Sequence, residues 1–384
     1  MVRHAELPMS GEPAFLIAAA RRFLHPDSPL PNPETIDWAV LLRLAAAHAV
    51  IPMLYSAMRD VPIPDGAAEE LRRGIDRSAA WTLMQSRELA HLGGLFEQHA
   101  IPVVALKGPT LSRYLYGDLE ARSSGDIDVL VKREDVLRSR DVLMTNGYRV
   151  ANSLHWNSPS ASLRLRGCEM AFESASGVSV DVHWRLLPPH FASAFDELDA
   201  WKSLGTETLG GRRVPTLAPG PLLMFLCSHG AKHMFERVAW ICDIARFLIV
   251  TPGLDWKAMV AAARRACALR QLSLGVQLAV DLLGAPPVSE LPRDVTVEAL
   301  AQTVLNRLLT GATPPAAGLE STRYCLRLME RPGQRLRLLS GEYLTPSEAE
   351  FRVLQLPPWL FFAYYPFRPV RLFWRNAIRR SGAE

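Results

Sequence analysis

The hydrophobic period of this chain changes near residue 100 and changes back near residue 220, and that switch constrains its fold more than any other feature. Up to residue 98 apolar side chains recur at helical spacing, as in 36–47 and the long run 67–98. The second run follows Pro64-Asp65-Gly66, with Asp65 as its expected cap. Ile101-Pro-Val-Val-Ala-Leu106, bounded by Pro102 and Gly108, reads instead as a short buried strand. A short helix over 110–116 and a polar loop follow. Ile127-Asp-Val-Leu-Val131 is a second strand, and 133–146 an amphipathic helix closed by Gly147. Residues 168–172 and 178–184 alternate as a hairpin turning through Ala175-Ser176-Gly177. Beyond Pro221 helices return over 222–235, 239–248, 256–266, 272–283 and 295–309, with no repeat period. The expected class is α+β: a small mixed-sheet core flanked by N- and C-terminal helical regions. The expected segments are a helical region 1–94, a core 95–218, a helical bundle 219–330 and an aromatic, basic tail 331–384.

Composition excludes several classes. With 49% apolar and 21% charged residues in 384, the chain is neither disordered, collagenous nor a disulfide scaffold. Its formal charge of +4 is unevenly placed. Residues 352–384 carry six arginines (352, 368, 371, 375, 379, 380) against Glu384 alone, which leaves a near-neutral body. Five cysteines (168, 227, 242, 267, 325), odd in number and without a C-x-x-C pair, point to buried or free thiols in a reducing compartment. The apolar stretch 14–20 precedes Arg21-Arg22, the wrong order for a secretory signal. The uncharged run 353–367 is too short and too broken by prolines to span a bilayer. A cytoplasmic protein is expected, with peripheral membrane contact through the tail as an open alternative.

The informative segment is 106–131. Asp126 and Asp128 stand two apart in the second strand, so both side chains leave one face while Ile127, Val129 and Val131 point to a core. Adjacent carboxylates raise each other's pKa unless a cation neutralises them. Their hard oxygens suit Mg²⁺; solvated acids at a strand end are the bland reading. Lys107-Gly108 closes one strand and opens a helix, where backbone N–H groups can approach phosphate. Asp181, in Val178-Ser-Val-Asp-Val-His183, shares a strand face with Ser179 and His183, and a third acid would complete a two-metal site.

Leu106-Lys107-Gly108, Arg122-x-x-x-Asp126-Ile-Asp128 with Leu130-Val131, Gly147-Tyr148 and Val180-Asp181-Val-His183-Trp184 together resemble the nucleotidyltransferase superfamily built on the DNA polymerase β-like core. More closely, they resemble the bacterial uncharacterised nucleotidyltransferase family often associated with polysaccharide or natural-product gene clusters. The resemblance covers about 95–190 and extends more weakly through 229–247 and the tail. It implies that Asp126 and Asp128 hold Mg²⁺ (Mn²⁺ as a substitute) and that Asp181 is a third ligand and the base or orienter for an attacking hydroxyl. By the same resemblance Gly108 is the glycine that phosphate approaches, and Lys107 and Arg122 contact triphosphate or neutralise the acids. Ser123 and Ser124 are loop residues able to donate to phosphate. The chain departs from the wider superfamily in having Gly108-Pro109 for Gly-Ser or Gly-Gly, which removes one N–H donor, and in a longer separation from Gly108 to Asp126.

The implied activity moves NMP, in the first instance AMP from ATP, to a hydroxyl or phosphate of a small-molecule, glycan or peptide acceptor, with pyrophosphate released. Nucleic acid is not an expected partner. The rival is a non-catalytic scaffold that keeps the fold. Removing Asp128 is expected to cost transfer but not stability, since the acids repel. His229 and His233 share a helix face but lack the glutamate of H-E-x-x-H, so they read as cleft or packing residues. Asp243 is expected to pair with Arg237 or Arg246. The tail reads as an arm packed on the bundle, as a membrane-surface element, or as a binder of single-stranded nucleic acid. There is no Walker, dinucleotide-fold or hydrolase-elbow sequence.

Overall fold

A computed structural model of the chain describes residues 11–151, 168–191, 197–311, 318–346, 348–354 and 356–381. Its centre is a seven-stranded mixed sheet of β1 (Val103–Ala105), β2 (Ile127–Val131), β3 (Arg149–Val150), β4 (Glu169–Glu173), β5 (Ser179–His183), β6 (Leu204–Leu209) and β7 (Arg212–Leu217). The strand order is β3-β4-β5-β2-β1-β7-β6. In the middle, β2 runs parallel to β5 with Asp128 beside Asp181, and antiparallel to β1.

The central strand β2 is buried along its whole length. Ile127, Val129 and Val131 join Val180 and Val182 against Leu89, Leu92 and Phe96 of α4 (Asp65–Gln98) and Leu143 of α6 (Val136–Thr145). The opposite face sends Val104, Leu106 and Leu130 into a second core made by helices. That core joins the two ends of the chain. Phe15 and Leu16 of α1 (Glu12–Leu24) cluster with residues of helices Val238–Val250, Leu269–Leu283 and Val295–Thr310. Each such buried Phe or Leu contributes about 1.5–3 kcal/mol of transfer free energy. The α+β architecture expected from the sequence is therefore present, with helices before the sheet and after it sharing one interior.

Several local expectations change. Asp65 is the first residue of α4 rather than a side-chain cap, and Pro64 occupies the cap position. The helix expected over 222–235 runs Pro219–Lys232, because Met234 and Phe235 turn left-handed with φ of 56° and 48°. Gly230 allows that turn to close, since a Cβ there would meet the Phe235 ring at 2.3 Å. The β6–β7 hairpin, absent from the sequence reading, turns over Gly210 and Gly211, both at positive φ. Its β6 strand is mostly solvent-facing, so no apolar alternation announces it.

All five cysteines are buried and none forms a disulfide. The tail is helical, from Pro358–Ala363 through Tyr364–Ser381. No helix among the described residues is long and apolar enough to cross a membrane. The side chains of Arg352, Arg375, Arg379 and Arg380, and the whole of Glu384, lie outside the described residues.

Candidate active site

The acids converge where β2 and β5 face the helical core. Parallel pairing sets Asp128 beside Asp181, and period-two alternation puts Asp126 and His183 on the same face. α5 (Pro109–Tyr116) starts at this edge. Gly108, its cap residue, has φ 75° and ψ −142°, a conformation natural only to glycine, and no side chain caps the helix. Pro109 occupies the first helical position, where an N–H would have had no intrahelical acceptor. Helices Pro219–Lys232 and Val238–Val250 close the far side. The resulting cavity, about 260 Å³, is lined by Lys107, Gly108, Arg122, Ser124, Asp126, Asp128, Asp181, His183 and Lys232, among others. Lys107, Gly108, Arg122, Ser124, Asp126, Asp128 and Asp181 thus border one cavity, whereas Asp243 is not among its lining residues.

Their roles within it differ. Asp128 is buried: Oδ1 accepts from His183 Nε2 at 3.0 Å, and Oδ2 pairs with the Lys107 ammonium at 3.2 Å. Burial pushes its carboxyl up, but Lys107 and His183 outweigh that and hold it well below the usual carboxylate range. Asp126 is raised by burial and by the Asp128 charge, against the opposing pull of Lys107, His183 and Arg122. Asp181 is pushed up to about 7 by burial and by Asp128, Asp126 and Glu169. Asp128 is thus held ionised by its two basic neighbours, while Asp126 and Asp181 are held above the usual range.

This arrangement corrects the expectation that Asp128 can be removed without harm. Its deletion would strand Lys107 and His183 in a buried site, and an uncompensated buried charge is costly.

His183 also lies 3.3 Å from Glu169 through Nδ1. Burial opposes its charge, yet the Asp128 bond, Cys168 and Glu169 raise its pKa well above the ordinary value. Glu169 was missed in the sequence. The signal was the hairpin register, which sets Glu169 opposite His183. His229 is the counterpart of His183: burial and the Lys107 ammonium, 3.2 Å from its Nε2, hold it neutral. His233, lowered to about 3 by burial and Lys232, packs with His229 against Trp240.

Arg122 and Asp243 form a buried pair, Nε to Oδ2 at 2.8 Å, and the Tyr116 hydroxyl donates to Asp243 at 3.1 Å. The expected partners of Asp243 are engaged elsewhere. Arg237 stacks on Trp240, and Arg246 donates to the Leu115 carbonyl. Arg122 keeps Nη1 buried without a hydrogen-bond partner among the described residues. The Ser123 and Ser124 hydroxyls are both engaged by α4, with Ser78 at 2.8 Å and Gln85 at 2.5 Å.

The side chains fit a hard divalent cation. Carboxylate oxygens of Asp128 and Asp181 lie within 4.8 Å of each other, a hard-oxygen donor pair on adjacent strands. Asp126 borders the cavity outside that tight pair. Cys168, Glu169 and His183 form a second close group.

The chain belongs to the family described as uncharacterised nucleotidyltransferase, whose profile matches residues 34–284. Among solved structures it is similar to an antigenic nucleotidyltransferase-like protein from Paracoccidioides brasiliensis. The two are 13% identical, with 54% of this chain and 95% of that chain covered and a TM-score of 0.31. No curated protein matches the chain.

Proposed function

We propose that this protein transfers a nucleoside monophosphate, AMP from ATP in the first instance, to a hydroxyl or phosphate of an acceptor. The observation that carries this reading is the meeting of Asp126, Asp128 and Asp181 with Lys107 and the uncapped start of α5 in one cavity. Asp126, Asp128 and Asp181 would hold Mg²⁺, or Mn²⁺ in its place. The cation would neutralise charge on the reacting phosphates. The chain's own groups do the rest. Gly108 lets the backbone approach the triphosphate, and Lys107 and the free Nη1 of Arg122 offer it positive charge. Asp181 would orient the attacking hydroxyl and take its proton. The acceptor oxygen bonds to the α-phosphorus as the bond to pyrophosphate breaks.

Beside the cavity lies a hollow of about 860 Å³ between α2 (Trp38–Ala47), α3 (Ile51–Ala57) and α4. It shares Ala49, Ser123, Ser124, Gly125 and Arg237 with the acid cavity, and Trp38, Leu42 and Arg43 line it further out. We assign it to the acceptor, which would reach the reacting phosphate across the shared wall.

The test is incubation with α-labelled ATP, Mg²⁺ and extracts of the source organism, followed by mass spectrometry. A nucleotidyl adduct that vanishes in Asp126→Asn/Asp181→Asn protein is expected. Undiminished transfer in that double variant would remove the reading. The rival scaffold, suggested by Gly108-Pro109, would give no adduct at all.

A further inference from the structure

We infer that the C-terminal helix docks the protein on an anionic lipid surface. Every exposed aromatic side chain among the described residues lies between Tyr343 and Trp374. Trp359 and Phe373 are each 73% exposed, Phe362 67% and Trp374 62%.

The helix Tyr364–Ser381 is two-sided. Tyr364 is buried and donates its hydroxyl to the Leu354 carbonyl at 2.7 Å. One and two turns later, Arg368 and Arg371 reach the buried Glu350 at 2.7 and 2.5 Å. Positions 364, 368 and 371 therefore fix one side to the body. Val370, Phe373 and Trp374, spaced i, i+3, i+4, fall on the opposite side and face solvent. The aromatics are held outward by a rigid anchor on the other flank of the same helix.

Charge selects the occupant. Residues 352–384 carry six arginines against one acid, and Arg368 and Arg371 pair with Glu350. A two-fold dimer through this face would bring two such cationic stretches together. An anionic membrane accepts both features, since aromatic side chains seat at the headgroup boundary while arginines meet lipid phosphate.

The experiment is co-sedimentation of the full chain with phosphatidylcholine vesicles and with vesicles containing about one-third phosphatidylglycerol. Binding is expected only to the anionic vesicles, and raised salt should weaken it. Phe373→Ser/Trp374→Ser, at exposed positions, should lower the vesicle affinity about tenfold or more with the melting temperature unchanged. Arg375→Gln/Arg379→Gln/Arg380→Gln should abolish the preference for anionic lipid. Val295→Ser, 79% exposed in its parent side chain on another helix, should change nothing. Failure of the wild-type chain to sediment with anionic vesicles would overturn the inference, as would equal sedimentation of the Phe373→Ser/Trp374→Ser protein. Retention of a fluorescent oligothymidine without vesicle binding, or dimerisation lost in that variant without vesicle binding, would assign the face to another partner.

Discussion

Two regions of the molecule bury charge and treat it in opposite ways. Under the tail helix, Glu350 receives two arginines, and its negative charge is fully answered from within the chain. In the acid cavity, Asp128 is answered by Lys107 and His183, while burial and the Asp128 charge leave Asp126 and Asp181 raised. Buried charge completed by the chain is architecture. Carboxyls held away from their ordinary range in a cavity mark a candidate functional site, and the proposal is that a cation completes this one.

Deleting Asp128 should give the largest effect, because it belongs to both sides of the contrast. Asp128→Ala should lower transfer by about 10²–10³-fold or more. It should also cost about 3–5 kcal/mol in urea unfolding by leaving two cations uncompensated. Full stability would show that Lys107 and His183 do not depend on it. Glu350→Ala should cost a similar 3–5 kcal/mol yet leave transfer per folded molecule intact, and lost transfer would place the tail in the catalytic unit. Gly108→Ala should cost about 1–3 kcal/mol through backbone strain, together with weaker triphosphate binding in a nucleotide titration.

The smallest effect has a distinctive pH dependence. Folded Asp181 gives up its proton near pH 7, whereas an unfolded aspartate does so near 3.8. Between those values the folded state holds the extra proton, so metal-free stability falls as pH rises through that window. Asp181→Asn should therefore melt with wild type at low pH and about 2–4 °C above it at pH 8 in EDTA. A variant that melts below wild type at pH 8 would contradict the reading of Asp181 as a carboxyl held above its usual range.

Much of the site was legible because strand alternation is local. The spacing of Asp126 and Asp128, and of Asp181 and His183, already places each pair on one strand face. The parallel pairing of β2 with β5 brings those faces together. What escaped depends on contacts distant in sequence. The Arg122–Asp243 pair joins residues 121 apart, and Lys107 meets His229 across 122. No local pattern distinguishes Arg122 from Arg237 or Arg246 as the partner of Asp243. The packing of α1 among helices more than 200 residues later is likewise invisible to periodicity, which reports the apolar stripe but not what covers it. In the tail, the sequence shows aromatics interleaved with arginines. The anchors on Glu350, Leu354 and Glu342 determine which of them turn inward.

The central claim is that Asp126 and Asp181 receive a metal-bound nucleotide. It is tested most directly by the melting temperature with ATP, with and without Mg²⁺, for wild type and for Asp126→Asn/Asp181→Asn. A ligand that binds only the folded state raises the melting temperature. The account predicts a Mg²⁺-dependent rise with ATP in wild type and none in the double variant. An equal rise in both proteins, or a wild-type rise indifferent to Mg²⁺, would contradict it.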